Sequence, residues 1–185
     1  MSKTSRNTKI GIFRNVQTLT VCAMLTAMSV AIGIFCKTFL DFGGGLFRIT
    51  FENLPILLSG IMFGPIVGGA VGLCTDIVSY LLSGQIYPMN FIVTFGAFMV
   101  GVVSGFFARY VIKKKSYFRI IVSCFAAHVV GSLIIKPIGL FAYYGWAVLW
   151  RFPIYLFAIV PLEVLLICAL YRNSYVKNLI DRSTK

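Results

Sequence analysis

Residues 48–76 read RITFENLPILLSGIMFGPIVGGAVGLCTD, and how that stretch is divided decides the fold. It is apolar enough to enter lipid, yet Arg48, Glu52 and Asp76 flank it or sit in it. A Gly64-Pro65 pair interrupts the run, and glycine recurs at Gly60, Gly64, Gly68 and Gly72. Four-residue spacing stacks those glycines on one helical face, where neighbouring backbones approach closely. Packing is the plainer reading of that stripe. The charges are different: ionisable groups at membrane depth are costly, so they face a protein interior or a watery cavity and mark a site.

The surrounding chain fits a membrane setting. Its 185 residues are 59% hydrophobic and 12% charged, with a mean hydropathy of +0.91. A soluble domain of this size carries about twice that charge. The net charge of +12 suggests nucleic acid until its distribution is considered. Basic residues cluster at the N-terminus (Lys3, Arg6, Lys9, Arg14), at Lys113–Lys115, and at the C-terminus (Arg172, Lys177, Arg182, Lys185). Clusters between apolar runs mark cytoplasmic loops under the positive-inside rule, so no nucleic-acid partner is expected. Cys22, Cys36, Cys74, Cys124 and Cys168 are scattered through apolar segments without CxxC spacing, and neither a disulfide framework nor a metal site is expected. The uncharged run from Val16 to Cys36 exceeds the apolar core of a signal peptide and reads as a first transmembrane helix.

Apolar segments cover 16–36, 53–83, 87–112, 117–136 and 152–171. The second is too long for one straight helix and short for two. Charge decides. A single crossing puts the two basic termini on opposite sides and leaves Lys113–Lys115 outside, whereas a break at Gly64-Pro65 brings all three clusters into the cytoplasm. Proline cannot continue helical hydrogen bonding and disfavours helix in the residue before it, so the break is natural there. The expectation is an all-α membrane protein with six transmembrane helices, both termini cytoplasmic, and a lid-like first outer loop. It forms one integral membrane domain over residues 1–185, with a basic N-terminus at 1–14 and a cytoplasmic tail at 173–185. Of 17 Lys plus Arg, four then lie outside: Lys37, Arg48, Lys136 and Arg151.

The outer segments have the composition of a binding face. The first, KTFLDFGGGLFRITFE, joins Phe39, Phe42, Phe47 and Phe51 to the hinge-like run Gly43–Gly45. From Phe47 to Glu52 apolar and polar residues alternate, the period of a short extended segment. A lid and a plain interfacial aromatic belt both fit these facts. The last, KPIGLFAYYGWAVLWR, adds Phe141, Tyr143, Tyr144, Trp146 and Trp150 between Lys136 and Arg151. Tyr87 and Asn90 stand at the turn into the fourth helix. Aromatic faces, cations and an amide converging on one side suit a flat heteroaromatic ligand bearing carboxylates.

Deeper polar residues keep two readings each. Glu163 sits near mid-membrane, where a carboxylate accepts an amidine-like N–H edge of a ligand or bonds a helix partner. His128 is more often a packing histidine than a ligand contact. Asp76 pairs with Arg48 or caps buried backbone. No GxxxxGK[ST] phosphate loop, HExxH or nucleophile elbow occurs, and the chain has one histidine. A chain this small implies a partner that supplies energy. Ala23, Ala27 and Ala31, at four-residue spacing on the first helix, form a small-residue stripe suited to docking or to packing within the bundle.

These features together resemble the substrate-binding (S) component of energy-coupling factor (ECF) vitamin transporters, over nearly the whole chain. The residues that carry the likeness are the stripe at Ala23 and Ala27, Arg48-Ile-Thr-Phe-x-x-Leu-Pro55, Gly60-x-x-Phe-Gly-Pro65-x-x-Gly68, and Asp76. Among members, the Tyr87-Pro88 loop and aromatic outer segments are most similar to the folate-specific component. The resemblance implies a high-affinity vitamin-binding subunit of an ABC-type importer in the bacterial cytoplasmic membrane, and no enzyme. Ligand enters from outside under the first-loop lid. The subunit then docks through the alanine face on a transmembrane T component, driven by two ATPases that use the ATP, and topples to release its load.

The expected ligand is folate. Another vitamin such as pantothenate, or a lipid-modifying enzyme using Glu52 with Arg48, are the competing readings. Arg48, Arg151 and Lys136 are expected at the anionic end of the ligand, and Trp150, Tyr87 and Phe47 for stacking. Asn90 and Glu163 follow, for hydrogen bonds to the ring. No cofactor or metal is expected in this chain.

Overall fold

The computed structural model describes residues 16–42, 47–82, 89–112, 117–174, 176–177 and 180. Six helices follow one another: α1 (Val16–Phe39), α2 (Asn53–Phe63), α3 (Pro65–Leu82), α4 (Phe91–Val111), α5 (Tyr117–Ala142) and α6 (Gly145–Tyr171). All but α2 are long and apolar enough to cross a membrane. Between α1 and α2 lies a small antiparallel ribbon of β1 (Asp41–Phe42) and β2 (Phe47–Arg48), with Asp41 opposite Arg48 and Phe42 opposite Phe47. Ile49 N–H extends it by donating to the Leu40 carbonyl at 3.2 Å. The alternation at Phe47–Glu52 is therefore expressed as extended backbone where the ribbon forms.

The quoted stretch breaks at Gly64-Pro65 as its residues require. Gly64 has φ 96°, a conformation side chains resist, and its N–H closes α2 on the Gly60 carbonyl at 2.8 Å. Pro65 opens α3, where its missing N–H is no loss. Helix α2 has 11 residues, about 16 Å, so alone it covers about half the hydrocarbon depth. Every residue from Asn53 to Met62 is buried. It is an internal pillar encased by the other helices, and its apolar all-round sequence follows from that.

Glycines set the spacing around the pillar. A methyl group at Gly68 would meet the Gly60 Cα at 2.5 Å and the Gly101 carbonyl at 2.6 Å. One at Gly105 would meet Pro65 N at 2.5 Å, and one at Gly72 would strike the Ala97 carbonyl. So α2, α3 and α4 touch backbone to backbone, which makes the glycine stripe an internal seam. Ile56, Leu57, Val67, Val71, Val100, Ile120, Cys124 and Ile167 close the main apolar core around it.

The region Lys136–Arg151, expected as an outer segment, is largely helical. Helix α5 continues through Pro137 to Ala142, and α6 starts at Gly145, whose φ of 54° makes the corner. Stretches of π-helix explain the passage through proline. They span His128–Ile135, just before Pro137, and Tyr155–Ile159, between Pro153 and Pro161. Across the first, Lys136 N–H bonds the Gly131 carbonyl, one residue farther back than in an α-helix. Such widened turns take up the ring clash and re-aim the side chains they carry.

Candidate functional site

The π-helical stretches carry side chains that meet and build a buried polar array. On α5, His128, Ser132 and Lys136 recur every fourth residue; on α6, Tyr155 and Glu163 stand eight apart on one face. Helix α2 adds Asn53 at its start, preceded by Glu52. The upper part is fully connected. Lys136 Nζ donates to Asn53 Oδ1 at 3.1 Å and lies 3.8 Å from Glu52 Oε1. Asn53 Nδ2 donates to the Tyr155 hydroxyl at 2.5 Å. With Asn53 fully buried, both ends of its amide are committed, and the assignment of its O and N follows from a lysine on one side.

Close approach at glycines makes room for these groups. A methyl group at Gly96 would meet Lys136 Cγ at 2.7 Å, so α4 yields space to the lysine stem. One at Gly33 would meet Glu52 Oε2 at 2.9 Å, so α1 passes directly beside the carboxylate. Ser29 on α1 also donates to the Glu52 carbonyl. The start of α2 is thereby tied to the first helix.

The lower part of the array is a histidine–carboxylate contact. His128 Nε2 lies 2.6 Å from Glu163 Oε2, both side chains being fully buried. Ser132 Oγ is 3.4 Å from His128 Nδ1, and the Tyr155 ring packs tilted on the imidazole at 5.8 Å. The carboxylate and cation of the upper part and the acid and imidazole of the lower part are each locally compensated, which is what allows them to stay at this depth. Among the described residues no group of His, Cys, Asp and Glu could hold a metal ion.

Of the residues expected at the site, Lys136 and Glu163 belong to this array. Asn90 does different work: its Oδ1 caps α4 by accepting from Ile92 N–H at 3.0 Å, and its Nδ2 donates to the Gly139 carbonyl at 2.6 Å. Trp150 is 70% exposed, because the buried position in its short 3₁₀ stretch is taken by Val148. Tyr87 lies outside the described residues, as do the side chains of Phe47, Arg48 and Arg151. Asp76 accepts from Thr94 Oγ1 at 2.6 Å and so joins α3 to α4. Sequence reasoning did not single out Asn53 or Tyr155, and it read His128 as a packing histidine, which is how the imidazole sits against Tyr155 and Glu163. The signal was present in the spacing HxxxSxxxK, polar residues every fourth position on an apolar helix.

The alanine stripe is on the outside. Ala23, Ala27 and Ala31 are exposed and line a shallow apolar groove between α1 and α3, with Val30, Val71 and Cys74. Its lining is almost entirely apolar.

A family model described as "ECF transporter, substrate-specific component" matches residues 17–182. The chain belongs to that family. It is a substrate-binding component of ECF transporters, a membrane transport family and not an enzyme family. The "Folate transporter FolT" of Clostridium novyi (strain NT) is 31% identical over 124 residues, covering 66% of this chain and 69% of the relative. An "Uncharacterized protein MG098 homolog" of Mycoplasma pneumoniae (strain ATCC 29342 / M129 / Subtype 1) is 31% identical over 85 residues, 46% of this chain. The chain spans 17% of the length of that relative. A structure titled "Crystal structure of FolT bound with folic acid" has the same fold, with a TM-score of 0.63, 24% identity, and coverage of 85% of this chain and 92% of that one. The S-component fold thus houses the buried Lys136–Asn53–Tyr155 and His128–Glu163 array.

Proposed function

We propose that this S component captures folate from outside the cell and hands it to an ECF importer in the bacterial cytoplasmic membrane. The observation that carries the ligand is the 31% identity to a folate transporter across 69% of that protein. The buried array supports it chemically. A lysine, two carboxylates, an amide, a phenol and an imidazole offer charge pairing and directional hydrogen bonds in a low-dielectric setting, as a flat, polar, anionic vitamin demands. Lys136, Arg48 and Arg151 pair with its carboxylates, and Trp150, Tyr87 and Phe47 stack on its rings.

In this reading both termini lie in the cytoplasm and residues 1–185 act as one membrane domain. The β1–β2 ribbon belongs to the lid-like first outer loop of this reading. The groove at Ala23, Ala27 and Ala31 is the face that docks on a T component, itself driven by two ATPases. Small side chains over an apolar groove permit the close helix approach such docking needs. Purification tests the ligand directly. Protein produced in cells supplied with folate carries a pterin absorbance that exchanges with added folate; a preparation that never acquires a pterin contradicts the proposal.

A further inference from the structure

Most of the polar side chains that face the interior of the bundle are matched. Asn53 is bonded at both ends of its amide, Lys136 has two partners, and Asn90 and Asp76 are each bonded. Two lack a partner at one atom among the described residues: Thr75 at its hydroxyl, and Glu163, the charged one of the two. Its Oε2 faces His128 Nε2 at 2.6 Å, but its Oε1 has no hydrogen-bond partner among the described residues. The side chain is fully buried. A carboxylate has about four acceptor sites, so this one holds open acceptor capacity at membrane depth, where an unmet acceptor costs free energy.

We infer that Glu163 reads the ring edge of the ligand, accepting paired N–H donors on a carboxylate that His128 holds in place. The inference rests on the folate proposal and specifies how the ligand is oriented. An acceptor-only site calls for donors. The 2-amino group and neighbouring ring N–H of a pterin form a cyclic guanidine-like edge, which presents parallel N–H bonds of the kind a carboxylate takes in pairs. The glutamate tail of folate is excluded from this end by like charge. It is drawn to Lys136, eight residues up α5 from His128, a rise of about 12 Å. The array therefore has Lys136, shared with Glu52, at one end and an open acceptor at the other, the order in which an anionic tail and a donor-rich ring would meet them. His128 is a positioning residue: Ser132 and the Tyr155 ring fix the imidazole, and the imidazole fixes the carboxylate.

Calorimetry on the purified full chain, with folate and with a folate analogue carrying methyl in place of the 2-amino group, tests this. The unaltered protein is expected to bind the analogue roughly tenfold or more weakly than folate, the cost of one unpaired buried acceptor. Glu163→Gln, which presents an N–H toward the donor edge, is expected to weaken folate by a similar factor and to lose the discrimination. Equal affinity of the unaltered protein for both compounds overturns the inference, whether or not the variant folds. So does a folded Glu163→Gln protein that keeps both folate affinity and discrimination. Absence of any folate binding by the unaltered protein overturns the folate proposal and this inference with it; folate binding that ignores both changes overturns this inference alone.

Discussion

Asn53 and Tyr155, 102 residues apart in sequence, are joined by a 2.5 Å hydrogen bond from the amide to the phenol. That bond turns the Asn53 carbonyl toward Lys136 and fixes the one described cation of the array. The lysine is thus oriented by a residue it does not touch.

Tyr155→Phe removes the acceptor and leaves a buried amide N–H unpaired. It is expected to destabilise the protein by about 1–3 kcal/mol, read as an earlier thermal transition in detergent. Folate binding should weaken as well, because the amide that orients Lys136 then loses the partner that holds it in place. An unchanged transition temperature would remove the bond from the account.

Lys136→Met keeps the apolar stem that packs beside Gly96 and deletes the charge. Folate affinity is expected to fall by about 1.5–3 kcal/mol, the worth of a hydrogen bond to a charged group. Stability changes less than for Lys136→Ala, which also empties the space along the stem. Calorimetry and thermal unfolding on the two variants separate charge from packing.

The glycines divide into two kinds, and alanine tells them apart. Gly68→Ala drives a methyl group into backbone of both α2 and α4, with nowhere to go. Overpacking of this kind costs about 1–3 kcal/mol or more, and poor recovery of folded protein is expected. Gly145→Ala has nothing within 4 Å of the new methyl and meets only its positive φ, a cost of about 1–3 kcal/mol of backbone strain. The Gly145 variant should therefore fold and bind ligand, with a lowered transition temperature.

Much of this architecture could be read from the chain. The break at Gly64-Pro65 was legible because proline and glycine impose backbone geometry locally, and the glycine seam because its spacing matches a helical face. Glu163 was singled out because charge in an apolar run demands a reason, and Lys136 because it was one of four cations expected on the outer side. Asn53 and Tyr155 were not, since each is unremarkable alone and gains its role from a contact across 102 positions. Asn90 was expected to face ligand, but its place just before an apolar helix also suits an N-cap, and capping is what its Oδ1 does here. The helical course of Lys136–Arg151 was hidden by Pro137, because a π-turn that accommodates proline leaves no simple period in the sequence.

Ala27 lies exposed in the groove between α1 and α3, outside the buried array. Ala27→Trp is expected to leave folate affinity within about twofold, as for a surface change remote from the site, and to abolish uptake in cells that supply the T component and ATPases. Loss of folding or of ligand binding in this variant would mark the stripe as an internal seam. Retained uptake would place docking elsewhere.

The most direct measurement is calorimetry of the purified chain against a panel of vitamins, folate and pantothenate among them. Folate is expected to bind as the tightest ligand of the panel, and Lys136→Met to weaken it selectively. Saturable binding of a different vitamin, with no heat from folate at any concentration, would contradict the account.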